Sequence, residues 1–159
     1  MSTLSHSATT PNQVLRRFRQ VFNAVRSHFA QIEKRTGLGG AQLWALSLIR
    51  QQPGIGVGEL ARLMDVHQST ASNLVKGLVQ RELLLATRNG PDRRTVQLHL
   101  QPAAARLLKR APAPVEGVLP LALQNLDPAT LHRLDQDLGR LITVLGADVR
   151  GAGIPLSQL

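Results

Sequence analysis

Apolar residues return along most of this chain at steps of three and four, the repeat of an α-helix buried on one side. From Pro11 to Arg35, Val14, Phe18, Val21, Val25, His28 and Ile32 alternate between these steps, and Leu15, Phe22 and Phe29 widen the stripe. A helix of about 24 residues extends roughly 36 Å. That is longer than a small domain covers by itself, so part of this face is expected to meet a partner helix or a second subunit. Thr36-Gly37 ends the helix, since glycine readily takes the left-handed C-terminal position. Leu38 to Gln51 predicts a second helix with Leu43, Leu46, Leu48 and Ile49 inside. Pro53-Gly54-Ile55-Gly56-Val57-Gly58 reads as a turn that supplies a short first strand. It leads into a helix over Gly58–Met64, where Leu60, Ala61 and Met64 pack inward and Arg62 is free to reach a phosphate.

The next helix starts near Gln68. Ala71, Leu74, Val75 and Leu78 make its buried stripe, and Ser69, Ser72, Asn73, Lys76 and Gln80 fall opposite. That polar face holds hydroxyls, amides and one cation, and no carboxylate. Such side chains approach base edges and phosphates without electrostatic repulsion. An ordinary amphipathic helix with a solvated face has the same periodicity. The following residues shift the balance. Leu83–Arg88 and Thr95–Leu100 read as two strands, the second alternating with Val96, Leu98 and Leu100 on one side. Asn89-Gly90-Pro91 marks the reversal between them. The hairpin tip carries Arg88, Arg93 and Arg94 against the single acid Asp92, which can brace a guanidinium in one orientation. Arginines at such a tip suit the narrow minor groove beside a helix lying in the major groove.

Helical spacing resumes at Pro102 through Ala103, Ala104, Leu107 and Leu108. Ala111-Pro112-Ala113-Pro114 interrupts it, because proline lacks the backbone donor and clashes with the preceding turn. Val115, Leu119, Ala122 and Leu123 continue the pattern, with Pro120 near the start. Asp127-Pro128 starts the last helix with proline in its first turn. There Leu131, Leu134, Leu138, Leu141, Leu145 and nearly Val149 form a heptad-like seam. A leucine seam on a terminal helix predicts an interface, here with the long first helix.

Charge adds direction to this layout. The 159 residues carry a net +9, distributed as +6 over residues 1–50, +5 over 51–110 and −2 over 111–159. The surplus avoids the C-terminal third, as expected if one side of the molecule meets a polyanion. Duplex DNA, RNA and an anionic membrane surface all satisfy charge alone. There is no cysteine, which excludes a disulfide framework and a cysteine-based oxidant switch within the chain. No run approaches the length of about 18 apolar residues that spans a bilayer, and no signal peptide is visible. A cytoplasmic protein with no membrane partner is the expectation. The glycine-rich turn lacks the Gly-Lys-Ser/Thr ending of a phosphate-binding loop, so a nucleotide site is not expected. There is no Tyr, and the five His are scattered. An enzyme therefore fits poorly, and neither a cofactor nor a metal is expected. A metal sensor through Asp65 and His67 competes with helix capping at the same residues.

The order helix, turn, Ser-Thr-Ala-Ser-Asn helix, leucine-rich strand, Asp92-Arg93-Arg94 tip and Val-x-Leu-x-Leu strand resembles the winged helix-turn-helix of the multiple antibiotic resistance regulator (MarR) family. The resemblance covers roughly residues 12–149. Two positions depart from it: Glu82 stands where a glycine usually ends the recognition-helix segment, and Gln101 where a threonine usually caps the next helix. The resemblance implies a mostly α fold with a small β wing, its winged core flanked by N- and C-terminal dimerisation helices. The layout expected is a disordered tail over 1–11, a dimerisation helix over 12–37 and a DNA-binding domain over 38–101. Dimerisation helices over 102–150 and a flexible tail over 151–159 complete it. It further implies a homodimeric bacterial transcription factor, usually a repressor released from DNA by a small molecule or an oxidant.

A twofold dimer would set two recognition helices about 34–36 Å apart on a pseudo-palindromic duplex. Ser69, Thr70, Ser72, Asn73 and Lys76 are the major-groove candidates. Gln68, with the N–H groups at the helix start, could hold a phosphate. Arg62 would add a phosphate contact, and Arg88, Arg93 and Arg94 the wing contacts. The family's ligand pocket maps onto Phe22, His28, Phe29 and Trp44, a lining that would suit a small aromatic acid or phenol. Trp44 and His28 also make sense as plain core or interface residues. A winged helix that binds RNA or a protein partner, or a DNA-binding protein that answers to no ligand, stays open as the alternative.

Overall fold

A computed structural model describes residues 8–88 and 95–159. Helix α1 (Pro11–Thr36) is started by a reciprocal cap: the Thr10 hydroxyl accepts from the Gln13 N–H at 3.3 Å, and Gln13 Oε1 accepts from the Thr10 N–H at 2.7 Å. It stops at Gly37, whose φ of 70° is the left-handed cap its sequence predicts. Thr36 locks the exit: its hydroxyl donates to the Ile32 carbonyl at 2.7 Å and accepts from the Leu38 N–H at 3.1 Å. Helix α2 therefore begins at Gly40 and runs to Gln51.

The core gathers around α2. Leu43, Leu46 and Ile49 from α2 are fully buried with Ile32 of α1 and Leu38. They meet Leu60 of α3 (Val57–Met64), Leu78 of α4 (Gln68–Gln80), Leu84 of β1 (Leu84–Thr87) and Leu98 of β2 (Gln97–Leu100). Strands β1 and β2 pair antiparallel, with Leu84 opposite Leu100 and Ala86 opposite Leu98. The short first strand expected at Pro53–Gly58 does not form. Two backbone bonds stand in its place, from the Gly54 N–H to the Leu98 carbonyl (2.8 Å) and from the Leu98 N–H to the Ile55 carbonyl (3.0 Å). Gly54 has φ 87° and Gly56 already caps α3, so the chain leaves the sheet after one residue pair.

Two local departures from the family pattern have visible costs. Glu82, after α4, holds φ 57°, a conformation in which a Cβ costs about 1–2 kcal/mol. Glu82→Gly should remove that strain, less the roughly 0.5–1 kcal/mol of extra unfolded-state freedom that glycine brings. A net gain of about 0.5–1 kcal/mol in chemical denaturation is expected. Gln101 caps α5 (Pro102–Arg110) with no side-chain hydrogen bond. Gln101→Thr should supply one and raise stability by about 0.5–1 kcal/mol, read as a higher melting temperature.

The proline-rich break lies where expected. Helix α5 ends at Arg110, and α6 (Val118–Gln124) resumes after Gly117. Asp127 caps α7 (Pro128–Leu145) by accepting from the Thr130 N–H at 2.9 Å, and hydrogen bonding from Thr130, by its side chain first and then its backbone, lowers the pKa of the Asp127 carboxyl. Left-handed Gly146 ends α7 at Leu145, short of the seam's extension to Val149. Within one chain α1 packs chiefly on α2, α5, α6 and the last turn of the chain, and α7 buries none of its residues. Leu131, Leu134, Leu138 and Leu141 each remain at least 36% exposed, as do Val14, Leu15, Val21 and Phe22 of α1. The stretch read as a tail, 151–159, belongs to two 3₁₀ turns (Val149–Gly153 and Leu156–Gln158) that return to the core.

Candidate nucleic-acid interface and adjoining cavity

Helix α4 is anchored by Ala71, Leu74, Val75 and Leu78, all buried, so its orientation on the core is set by four side chains of one face. The other face is presented outward as its spacing predicts: Gln68, Ser69, Ser72, Asn73, Lys76 and Gln80 are exposed, and Thr70 is half-buried. Helix α4 holds no acidic residue anywhere. Its N-cap, His67, makes no side-chain cap bond, which leaves the N–H groups of the first turn directed at whatever approaches. At the other end, an Arg81 guanidinium N–H donates to the Gly37 carbonyl at 3.0 Å, tying the α4 exit to the α1–α2 turn. Sequence periodicity gave no signal for that tie, because it joins segments far apart in the chain.

Arg62 is not free, as was expected of it. It forms a forked pair with Glu59 of the same helix, with Nε at 2.9 Å from Oε2 and Nη2 at 2.6 Å from Oε1. The pair lowers the Glu59 pKa and raises that of Arg62, chiefly through the hydrogen bonds themselves. Both side chains are well exposed, so the pair is weak and a phosphate can compete for the guanidinium. Arg88 is exposed just beyond β1. Asp92, Arg93 and Arg94 lie outside the described residues.

The structure divides the four pocket candidates. Phe29 and Trp44 line one cavity of about 250 Å³ between α1, α2, the α5–α6 connection and the C-terminal turns. Phe22 stands apart, 62% exposed and stacked on Phe18 at 6.1 Å between ring centroids, beside a shallower groove that also touches Phe29. His28 lines neither space: it is buried, and its Nε2–H donates to the Pro114 carbonyl at 2.8 Å. It pins the proline-rich break against α1.

The walls of the cavity come from segments far apart in the chain. Glu116 and Gly117 come from the break, Leu119 from the first turn of α6, and Ala152, Ile154 and Leu156 from the chain's end. The charged residues in its lining are Asp65 and Glu116, both acidic. An organic anion would meet repulsion there, which argues against the aromatic acid that the sequence reading favoured. Gly40 admits the Phe29 ring so closely that a Cβ at that position would overlap it. Asp65 and His67 do not form a ligand pair. Asp65 is the left-handed cap of α3, and the His67 ring bonds to the Arg150 carbonyl at 3.0 Å. Among the described residues no group of three His, Asp or Glu side chains converges on a metal site. No helix among them is long and apolar enough to cross a membrane.

Comparison with known proteins agrees with this geometry. The MarR family model matches residues 36–95, from the end of α1 to just short of β2. The HTH-type transcriptional repressor MdtR of Bacillus subtilis is 28% identical over 80 residues, which are 50% of this chain and 52% of that protein. The match thus spans about half the length of that curated relative. A MepR-like protein solved with pseudoligands superposes with a TM-score of 0.59 at 17% identity, covering 89% of this chain and all of its own. The Staphylococcus aureus MepR–DNA complex gives 0.55 at 15% identity, covering 86% of this chain and 96% of MepR. These structures share the fold, mostly helical with a two-stranded wing. The segment from 36 to 95, with α4 at its outer surface, is thus similar to the MarR family, and the chain as a whole shares the fold of these winged-helix structures.

Proposed function

We propose that this protein is a homodimeric transcriptional regulator that reads duplex DNA with α4, probing the flanking minor groove with the wing. The observation that carries the reading is the outward face of α4, where hydroxyls, amides and Lys76 are exposed with no carboxylate on the helix. MarR-family relatives support it: MdtR is named as a repressor, and MepR was solved bound to DNA. Repression is accordingly the sign of regulation proposed, exerted on the chromosome in the cytoplasm.

The unpartnered leucines of α7 and the apolar N-terminal half of α1 supply the dimer contact. Their joining sets the two α4 helices on successive major grooves of a pseudo-palindrome. The proposed effector is a small aromatic molecule, uncharged as in a protonated phenol rather than anionic, bound between Phe29 and Trp44. Selection from a pool of random duplexes, followed by titration of the winning sequence against RNA of the same sequence over a salt series, tests the central point. Duplex binding at least a hundredfold tighter than RNA binding is expected. Equal affinities at every salt concentration would leave only a sequence-blind polyanion binder.

A further inference from the structure

The end of the chain folds back and makes contact at two places that belong to different parts of the proposed switch. At the first, the His67 ring Nε2–H donates to the Arg150 carbonyl at 3.0 Å, and the His67 backbone N–H points at the Gly153 carbonyl at 3.4 Å. Gly153 lies so tightly on the imidazole that any Cβ there would overlap the ring. His67 is the N-cap residue of α4, next to Gln68 and Ser69. At the second, the N–H of Ala41 in the first turn of α2 donates to Ser157 Oγ at 3.1 Å. Between the two contacts run only Ile154, Pro155 and Leu156, and all three line the cavity that holds Phe29 and Trp44. One short strap thus forms one wall of the cavity and grips the residue from which the DNA-reading helix starts.

The strap is held lightly. Most of its residues are exposed, and it rests on a few hydrogen bonds each worth about 1 kcal/mol. Ile154 and Leu156 are each about 40% exposed, so little apolar burial adds to them. A segment of such low local stability is the kind that moves when a neighbouring site fills. The docked strap leaves Gln68, Ser69, Ser72 and Asn73 exposed, so it braces α4 without covering the reading face.

We propose that residues 149–158 form a mechanical link in which the seated strap steadies the first turn of α4, and an occupant of the cavity lifts it. The link rests on the reading of α4 as the DNA-contacting helix and of the cavity as an effector site. Two variants address its two halves. Gly153→Ala unseats the strap at His67, and Val118→Trp fills the cavity from the opposite wall in place of a ligand. Backbone amide exchange of the full-length protein is the primary readout. Both variants should speed exchange at His67 and Ala71 at least tenfold, while core amides such as those of Leu46 and Leu98 keep their wild-type rates. Ser157→Ala, which removes only a hydroxyl, should speed Ala41 and, to a lesser degree, His67. It keeps the test open should Gly153→Ala destabilise the chain.

Unchanged exchange at His67 in Gly153→Ala or Ser157→Ala would overturn the brace. Unchanged exchange at His67 in Val118→Trp, with the core intact, would overturn the connection to the cavity. Affinity for the selected duplex should fall three- to tenfold in Gly153→Ala. Tighter binding would make the strap an obstacle and overturn its bracing role. If the wild-type protein binds no duplex, the reading of α4 fails while the exchange results still decide whether the strap is real.

Discussion

Glutamate at both Leu134 and Leu138 should convert the protein to a monomer and lower its affinity for a two-half-site duplex at least a hundredfold. These leucines sit in the middle of the α7 seam and are each 36% exposed in the single chain. Their neighbours Leu131 and Leu141 extend the same apolar line. Fully burying a leucine contributes about 1.5–3 kcal/mol, and a twofold interface counts each residue twice. An unpaired carboxylate at the same place reverses the sign, since burying it without a partner costs several kcal/mol on the order of a lost charge pair. The winged core should survive, because Leu43, Leu46, Leu78 and Leu98 belong to a buried cluster that takes no residue from α7. Helical circular dichroism should therefore be largely kept while sedimentation reports half the mass. A double variant that remains dimeric and binds normally would remove α7 from the interface.

The second large effect is expected at Lys76. It is exposed on the third turn of α4, one turn beyond Ser72 and Asn73, and no acidic residue of the helix competes for it. Lys76→Ala should weaken binding of the selected duplex by about 1–3 kcal/mol if the ammonium meets a base edge, a loss of roughly 5- to 150-fold. A base contact would also relax selectivity at one position of the half-site. A phosphate contact would weaken all sequences alike and reduce the salt slope by about one. Arg133→Ala, on exposed α7, is the control and should leave affinity unchanged. If Lys76→Ala and Arg133→Ala behave alike at fixed salt, α4 does not enter the groove in the proposed register.

These two predictions draw on different depths of the sequence. The α4 stripe, the Gly37 stop and the Asp127-Pro128 start were legible because each is decided within one or two helical turns. The pairing of Glu59 with Arg62 was equally local, three residues apart on one helix, and the spacing could have revealed it. The missing first strand was a matter of one residue: Gly54 turns the chain before a second pair can form, and backbone sign at a glycine is not written in hydropathy. His28 illustrates the opposite limit. Its place in the apolar stripe was correct, yet the stripe could not say that its partner would be the Pro114 carbonyl, 86 residues away.

Local sequence was enough to set the helix stripes, the Gly37 and Asp127 caps, the two paired strands and the carboxylate-free outer face of α4, all properties of near neighbours with a period of 3.6 or 2. Long-range packing alone puts Phe29 and Trp44 in one cavity, leaves Phe22 and His28 outside it, and lines it with Asp65 and Glu116. It alone brought the chain's end back to Ala41 and His67, across separations of 116 and 83 residues. Such contacts form because the core orients α2 and α4 and places their N-termini within reach of the returning chain. Nothing in the periodicity of a short, mostly exposed segment records where it will land.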